Sequence, residues 1–175
     1  MAAEITLKSG LEAGDGLSLM ELLKPSTPEE RERLTRESFR QEARAAIELI
    51  AEVLVKQRQA VMILHSKYWG QLGGMMKGKA PYNAEIVARN AGFLDALSQM
   101  PWDGFTPNTA GVKSNALPEI YKEPAKFKEA QDRLRSEIGK LVAATKGGDE
   151  AAVKAQVGAV DKACDSCHER FADLQ

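Results

Sequence analysis

The chain has 175 residues, 43% of them apolar and 28% charged, and a net charge of −1 at neutral pH. That length supports one domain with a real core and an appendage. The charge balance gives no electrostatic means of capturing nucleic acid or an anionic lipid surface, and no apolar run approaches the roughly 18 residues of a membrane span.

Aromatic residues are few, while Ala, Glu, Lys, Arg, Leu and Gln are abundant, a mix that favours helix over sheet. The start, "MAAEITLKSG", has no basic stretch followed by an apolar one, so no secretory signal is expected there. Residues 1–26 are mixed: "GLEAGDG" is Gly-rich and loose, "LSLMELLK" suits a short amphipathic turn or two, and Pro25 ends it. Ser26 or Thr27 as N-cap, Pro28 at the first helical position and acids behind it announce a helix.

That helical segment is expected to run to about residue 76 in two characters. Residues 28–46 carry ten charged side chains and only Leu34 and Phe39 as large apolar groups, with Glu29/Arg33 and Glu32/Arg36 placed to support a solvated helix. From Ile47 onward, Ile47, Ile50, Leu54, Val61, Met62, His65, Trp69, Leu72 and Met76 recur near helical spacing as a core-facing stripe. "KGKAPYN" breaks the helix. A second helix is expected over about 83–99, with Ile86, Asn90, Phe93, Leu94 and Leu97 on one face. A connection with Pro101, Pro107 and Pro118 follows. A third helix covers about 124–145, with Phe127, Leu134, Ile138, Leu141 and Val142. "KGGD" then stops it and starts a fourth over about 149–172. With no strand alternation and no repeat, the fold class is all-α, an antiparallel four-helix bundle with an N-terminal helical extension.

Both cysteines of the chain and one of its two histidines stand together in "ACDSCHERF", residues 163–171. On a helix Cys164, Cys167 and His168 share one face, with Val153, Val157, Val160 and Phe171. The pattern C-x-x-C-H is that of c-type haem attachment. Thiols at i and i+3 each add to one vinyl group as a thioether, and the adjacent imidazole reaches the iron. Three other readings compete. A redox pair normally opens a helix beside a sheet, and no sheet is expected here. A zinc site needs four ligands, for which only His65 and a carboxylate remain. Two buried thiols and a core histidine would be purely structural.

From about residue 50 to 175 the chain resembles the class II cytochromes c, the family of cytochrome c′ and its low-spin relatives. The segments that carry the resemblance are "RQAVM", "MMKGKAPYN", "MPWDGFTPNT", "LPEIYKEPAKF" and "ACDSCHERF". It implies one covalently attached haem c per chain, held by Cys164 and Cys167, with His168 as proximal ligand. It also places Arg58 near a haem propionate and Met62 at the distal position. The chain departs from the family at Ala172, where many members carry an arginine; Arg170 stands two residues earlier.

The family divides on the distal side. Cytochromes c′ leave the sixth position open, guarded by an apolar side chain, and bind NO and often CO. In the low-spin relatives a methionine at that position coordinates iron, and the protein carries electrons to and from a redox partner protein. Met62 is compatible with both, and the "PWDGFTPNT" loop leans towards cytochrome c′. His65, three residues beyond Met62, is a further distal candidate. No nucleophile–base arrangement is legible, so no enzyme is expected. The domains are expected as an extension over 1–49 and the bundle over 50–175. The extension is expected to be a solvated arm, or to dock a partner or a second subunit through Leu19, Met20, Leu22, Leu23, Leu34 and Phe39. The family resemblance favours a homodimer and, because covalent haem attachment in bacteria takes place there, the periplasm.

Overall fold

The computed structural model describes residues 27–174. The chain divides into two compact units, Met1–Arg44 and Ala45–Gln175. Five α-helices are present among the described residues: α1 Pro28–Met76, α2 Ala84–Leu97, the short α3 Glu119–Lys122, α4 Pro124–Gly147 and α5 Glu150–Phe171. The four long ones are the expected bundle. The proline-rich connection is more structured than its composition suggested: 3-10 turns at Trp102–Gly104 and Pro107–Thr109 precede α3.

Start and stop signals act as read. The Thr27 hydroxyl accepts from the amide of Glu30 at 3.1 Å, Asn83 caps α2 through the amide of Ile86 at 2.9 Å, and Asp149 caps α5 through Ala151 at 2.9 Å. Gly148 ends α4 in the left-handed conformation at φ 72°, which only glycine adopts without strain. In the first unit, Glu32 and Arg36 pair as expected on a helix whose Leu34 and Phe39 are exposed. Leu19, Met20, Leu22 and Leu23 lie outside the described residues.

In the second unit the core is two clusters. The first joins Leu72 and Met75 of α1, Val87, Ala91 and Leu94 of α2, Leu134, Ile138 and Leu141 of α4, and Val153, Val157, Val160 and Ala163 of α5. The later half of α4 shares this cluster with the first half of α5, as suits antiparallel neighbours joined at Gly148. The second cluster is Ile120, Phe127 and Phe171, with Trp102, Phe105 and Tyr121 packed on it. Backbones come close between α4 and α5 and between α2 and α4, whereas α1 meets the others chiefly through side chains.

Two expectations about buried faces are corrected. Ile47 and Ile50 are 50% and 57% exposed. The buried seam of α1 instead begins at Ala51 and continues through Val55 and Arg58. An alanine and an arginine hid it from a count of large apolar residues. Phe93 is also exposed on α2, where its ring lies 4.7 Å from that of Tyr68. A buried Asn90 joins α1 to α2 by donating to the Gln71 side chain at 2.7 Å and the Tyr68 carbonyl at 3.2 Å.

Candidate functional site

Along α5 the fully buried residues run Val153, Val157, Val160, Ala163 and then stop until Phe171. Cys164 and Cys167 occupy the interval, both half-buried and free. Cys164 packs against the first core cluster and Cys167 against the second. The motif therefore sits where one core gives way to the other. His168 is exposed, not on the buried face where it was expected. It stands about 40° around the helix from Cys164, and the second cluster packs on the Cys167 side instead.

Burial pushes the Cys164 thiol up to about 12, helped by the charges of Asp161 and Asp165, and pushes Cys167 up as well. A redox-active pair requires the opposite, a stabilised thiolate, so the redox reading fails on chemistry as well as fold. Among the described residues no three His, Cys, Asp or Glu groups converge on a metal-ion site.

The seam of α1 has an interval of its own. Val55, Arg58 and Leu72 are buried, while Met62, His65 and Trp69 between them are only half-buried. Arg58 is 3% exposed, not a surface arginine. Its Nη1 donates to the Gly104 carbonyl at 2.6 Å and to the Thr109 hydroxyl at 3.1 Å, and its Nη2 donates to the Ser114 hydroxyl at 2.9 Å. Its guanidinium carbon lies 4.3 Å from the centre of the Phe105 ring. No carboxylate among the described residues pairs with it. With only neutral partners among the described residues, this buried cation keeps its charge available to an anion. Thr109 in turn shares a 2.8 Å hydrogen bond with the Tyr121 hydroxyl. Gly104, Phe105, Thr109, Ser114 and Tyr121 were not singled out in the sequence; the signal for most of them is their place in or beside "MPWDGFTPNT" and "LPEIYKEPAKF".

Met62 and His65 follow Arg58 on the same seam. His65 Nδ1 lies 3.0 Å from the Val61 carbonyl, and its Nε2 is buried with no partner. Desolvation lowers its pKa, against the Val61 hydrogen bond, which raises it.

The end of α5 is tied to the long connection. Leu117 donates to the Phe171 carbonyl at 3.0 Å, and Asp173 to that of Asn115 at 2.8 Å. Ala172 forms an isolated antiparallel bridge with Ala116. Arg170 pairs with Glu123 at 2.5 Å and holds that carboxylate below its usual range, with help from Lys126. Arg170 is thus engaged at the surface and does not stand in for the arginine missing at Ala172.

These residues fit a c-type haem. Two thiols border a break between apolar clusters, an imidazole follows them, and α1 carries a buried cation with no carboxylate partner and a buried imidazole nitrogen with no hydrogen-bond partner among the described residues.

Residues 53–172 match the family described as Cytochrome C'. The chain is 36% identical over 118 residues to cytochrome c′ of Rubrivivax gelatinosus, spanning 67% of this chain and 92% of that one. It is 37% identical over 120 residues to cytochrome c′ of Alcaligenes xylosoxydans xylosoxydans, spanning 69% and 93%. Among solved structures it is similar to the nitric oxide complex of a mutant cytochrome c prime from Alcaligenes xylosoxidans. That match has a TM-score of 0.66 and 35% identity, and covers 71% of this chain and 97% of that one.

Proposed function

The chain belongs to the cytochrome c′ family, its cofactor is haem c, and on that premise we propose that it binds NO and CO at a five-coordinate haem, with electron transfer to a redox partner protein as an accompanying role. In this reading Cys164 and Cys167 carry the two thioethers and His168 is the proximal ligand. Arg58 faces a propionate and Met62 guards the distal side without coordinating. The observation that carries it is that Cys164 of α5 packs on the same cluster as Trp69 of α1, and Cys167 on the same cluster as Phe105, whose ring lies 4.3 Å from the buried Arg58 guanidinium.

The haem iron supplies the gas-binding and redox centre when the group is in place. The protein's own side chains set its surroundings. The thioethers fix the plane of the group, and Arg58 offers a preorganised fork of N–H donors and a positive charge to a carboxylate. Trp102, Phe105, Phe127 and Phe171 form a chain of ring contacts between 5.0 and 6.1 Å, stacked between Trp102 and Phe105 and edge-to-face elsewhere, which supplies an apolar wall. No catalytic turnover is assigned.

Residues 50–175 form the haem-binding unit in this proposal, and residues 1–49 an appended arm. The setting is the periplasm; no described helix is long and apolar enough to cross a membrane. The proposed assembly is a homodimer. Ile50, Val53 and Leu64 are exposed on α1 about a third of a turn from the buried seam, and Phe93 of α2 is exposed where it packs on Tyr68, one turn beyond Leu64. Apolar side chains aligned in this way suit a second copy of the same surface.

Optical spectra of the oxidised, reduced, and reduced NO- or CO-treated protein test the proposal. A broad high-spin ferrous Soret band that responds to both gases supports it. Sharp α and β bands with an oxidised charge-transfer band of the Met–iron type would instead make Met62 a ligand and the protein an electron carrier. No Soret band at all would end the haem reading.

A further inference from the structure

His65 is the one residue of the α1 seam that packing alone does not explain. Its Nδ1 lies 3.0 Å from the Val61 carbonyl oxygen. A carbonyl only accepts, so Nδ1 carries the proton and, in the neutral ring, Nε2 is a bare acceptor. That nitrogen is buried, and no donor among the described residues reaches it. A leucine would fill the same place and leave nothing unsatisfied. A buried acceptor without a donor is disfavoured, and a half-buried ring in the interval between Arg58 and Leu72 stands where a further group is to be received.

We infer that His65 Nε2 accepts a hydrogen bond from a small protic ligand, water first, held on the distal side beside Met62. The inference rests on the haem placement proposed above. Helix geometry separates this role from direct ligation. His65 follows Met62 by three residues, about 4.5 Å along the axis and about 60° around it. If Met62 stands over the centre of the group, His65 stands beside it. Side chains three apart on a helix are neighbours, with Cβ atoms about 5–6 Å apart, so the imidazole borders the same space as Met62 and can reach a molecule held there. The chemical class selected is a molecule with an O–H or N–H to give, such as water or hydroxylamine. NO and CO have no hydrogen to donate, so they enter by displacing what His65 holds.

Resonance Raman coordination markers of the ferric haem-loaded protein, compared with H65L and H65Q, provide the test. Leucine removes the acceptor, whereas the glutamine carbonyl restores it, so the pair separates hydrogen bonding from bulk. The expected result is a water-bound six-coordinate high-spin population in the ferric wild type, alongside the five-coordinate form that takes up NO and CO, which is lost in H65L and retained in H65Q. Nitrogen-15 spectra should show an unprotonated Nε2, and CO should bind ferrous H65L faster than wild type. Identical markers in all three proteins would overturn the inference while leaving the haem reading intact. So would a low-spin nitrogen-ligated wild type that H65L abolishes, since His65 would then be the ligand itself. A Met-ligated wild type, which leaves no place for a second molecule, would overturn it too. Absence of a Soret band in the wild type would overturn the haem reading, and this inference with it.

Discussion

Arg58 and Gly104 are locked together in both directions. The guanidinium donates to the Gly104 carbonyl at 2.6 Å, and that approach exists because Gly104 has no Cβ. A Cβ there would stand 2.9 Å from the Leu54 carbonyl oxygen and 3.1 Å from Arg58 Cβ. Backbone is the obstacle, so no rotamer change relieves it.

Gly104→Ala should therefore push the connection off α1 and lengthen the Arg58 hydrogen bond. Overpacking of this kind costs about 1–3 kcal/mol. Urea unfolding of the haem-loaded protein should show a lower midpoint with an unchanged slope. A variant as stable as wild type would mean that the loop is not seated as described.

The charge of Arg58 can be separated from its shape. Arg58→Lys keeps a positive charge but cannot reach Gly104, Thr109 and Ser114 together. Arg58→Met removes both charge and donors. A cation beside the haem favours the reduced form, so the reduction potential should fall in R58M and fall less in R58K. Each variant should also lose about 1–3 kcal/mol of stability for each buried acceptor left without a donor. Potentiometry that finds R58M unshifted would take Arg58 away from the cofactor.

These two residues also show what the sequence made legible and why the rest was not. The helices, their caps and the C-x-x-C-H cluster are local signals written in consecutive residues, and they survive in the structure almost to the residue. The face of α1 does not follow from such signals. Arg58 is hydrophilic on any scale, yet it is buried because partners 46 to 56 residues away in sequence close over it. Ile47 is apolar and aligned with the seam, yet exposed. Hydrophobic periodicity finds the angle of a buried stripe but not where along the helix the covering begins. His168 failed for a related reason: helical spacing put it near Cys164, but the second cluster covers the other flank.

The two thiols should be interchangeable in kind but not in sum. Cys164→Ala and Cys167→Ala singly should each leave one thioether, so haem should stay with the chain through denaturation and solvent extraction. The double variant should release it. Mass spectrometry of denatured protein reads this directly as the presence or absence of one haem. Release from either single variant would show that only one of the two cysteines is linked.

Stability should fall with acidity through His65. Burial lowers its pKa from the usual 6.5, so the unfolded chain takes up a proton at a pH where the folded one does not. Stability from this group is complete above about 6.5 and is lost as pH falls towards the lowered folded value. Chemical denaturation between about pH 7.5 and 5 should show the decline in wild type and a flatter profile in His65→Leu. Parallel profiles would place the imidazole in contact with water.

Val53→Glu combined with Leu64→Glu should leave the monomer's fold intact and abolish association. Both side chains are exposed and off the buried seam, so neither substitution opens a cavity. In a two-fold interface each appears twice and brings like charges together across the axis. Sedimentation velocity should give a dimer for wild type and a monomer for the double variant, with unchanged far-ultraviolet circular dichroism and an unchanged haem spectrum. A wild type that is monomeric at all concentrations would remove the homodimer. A double variant that still dimerises would move the interface away from this face of α1.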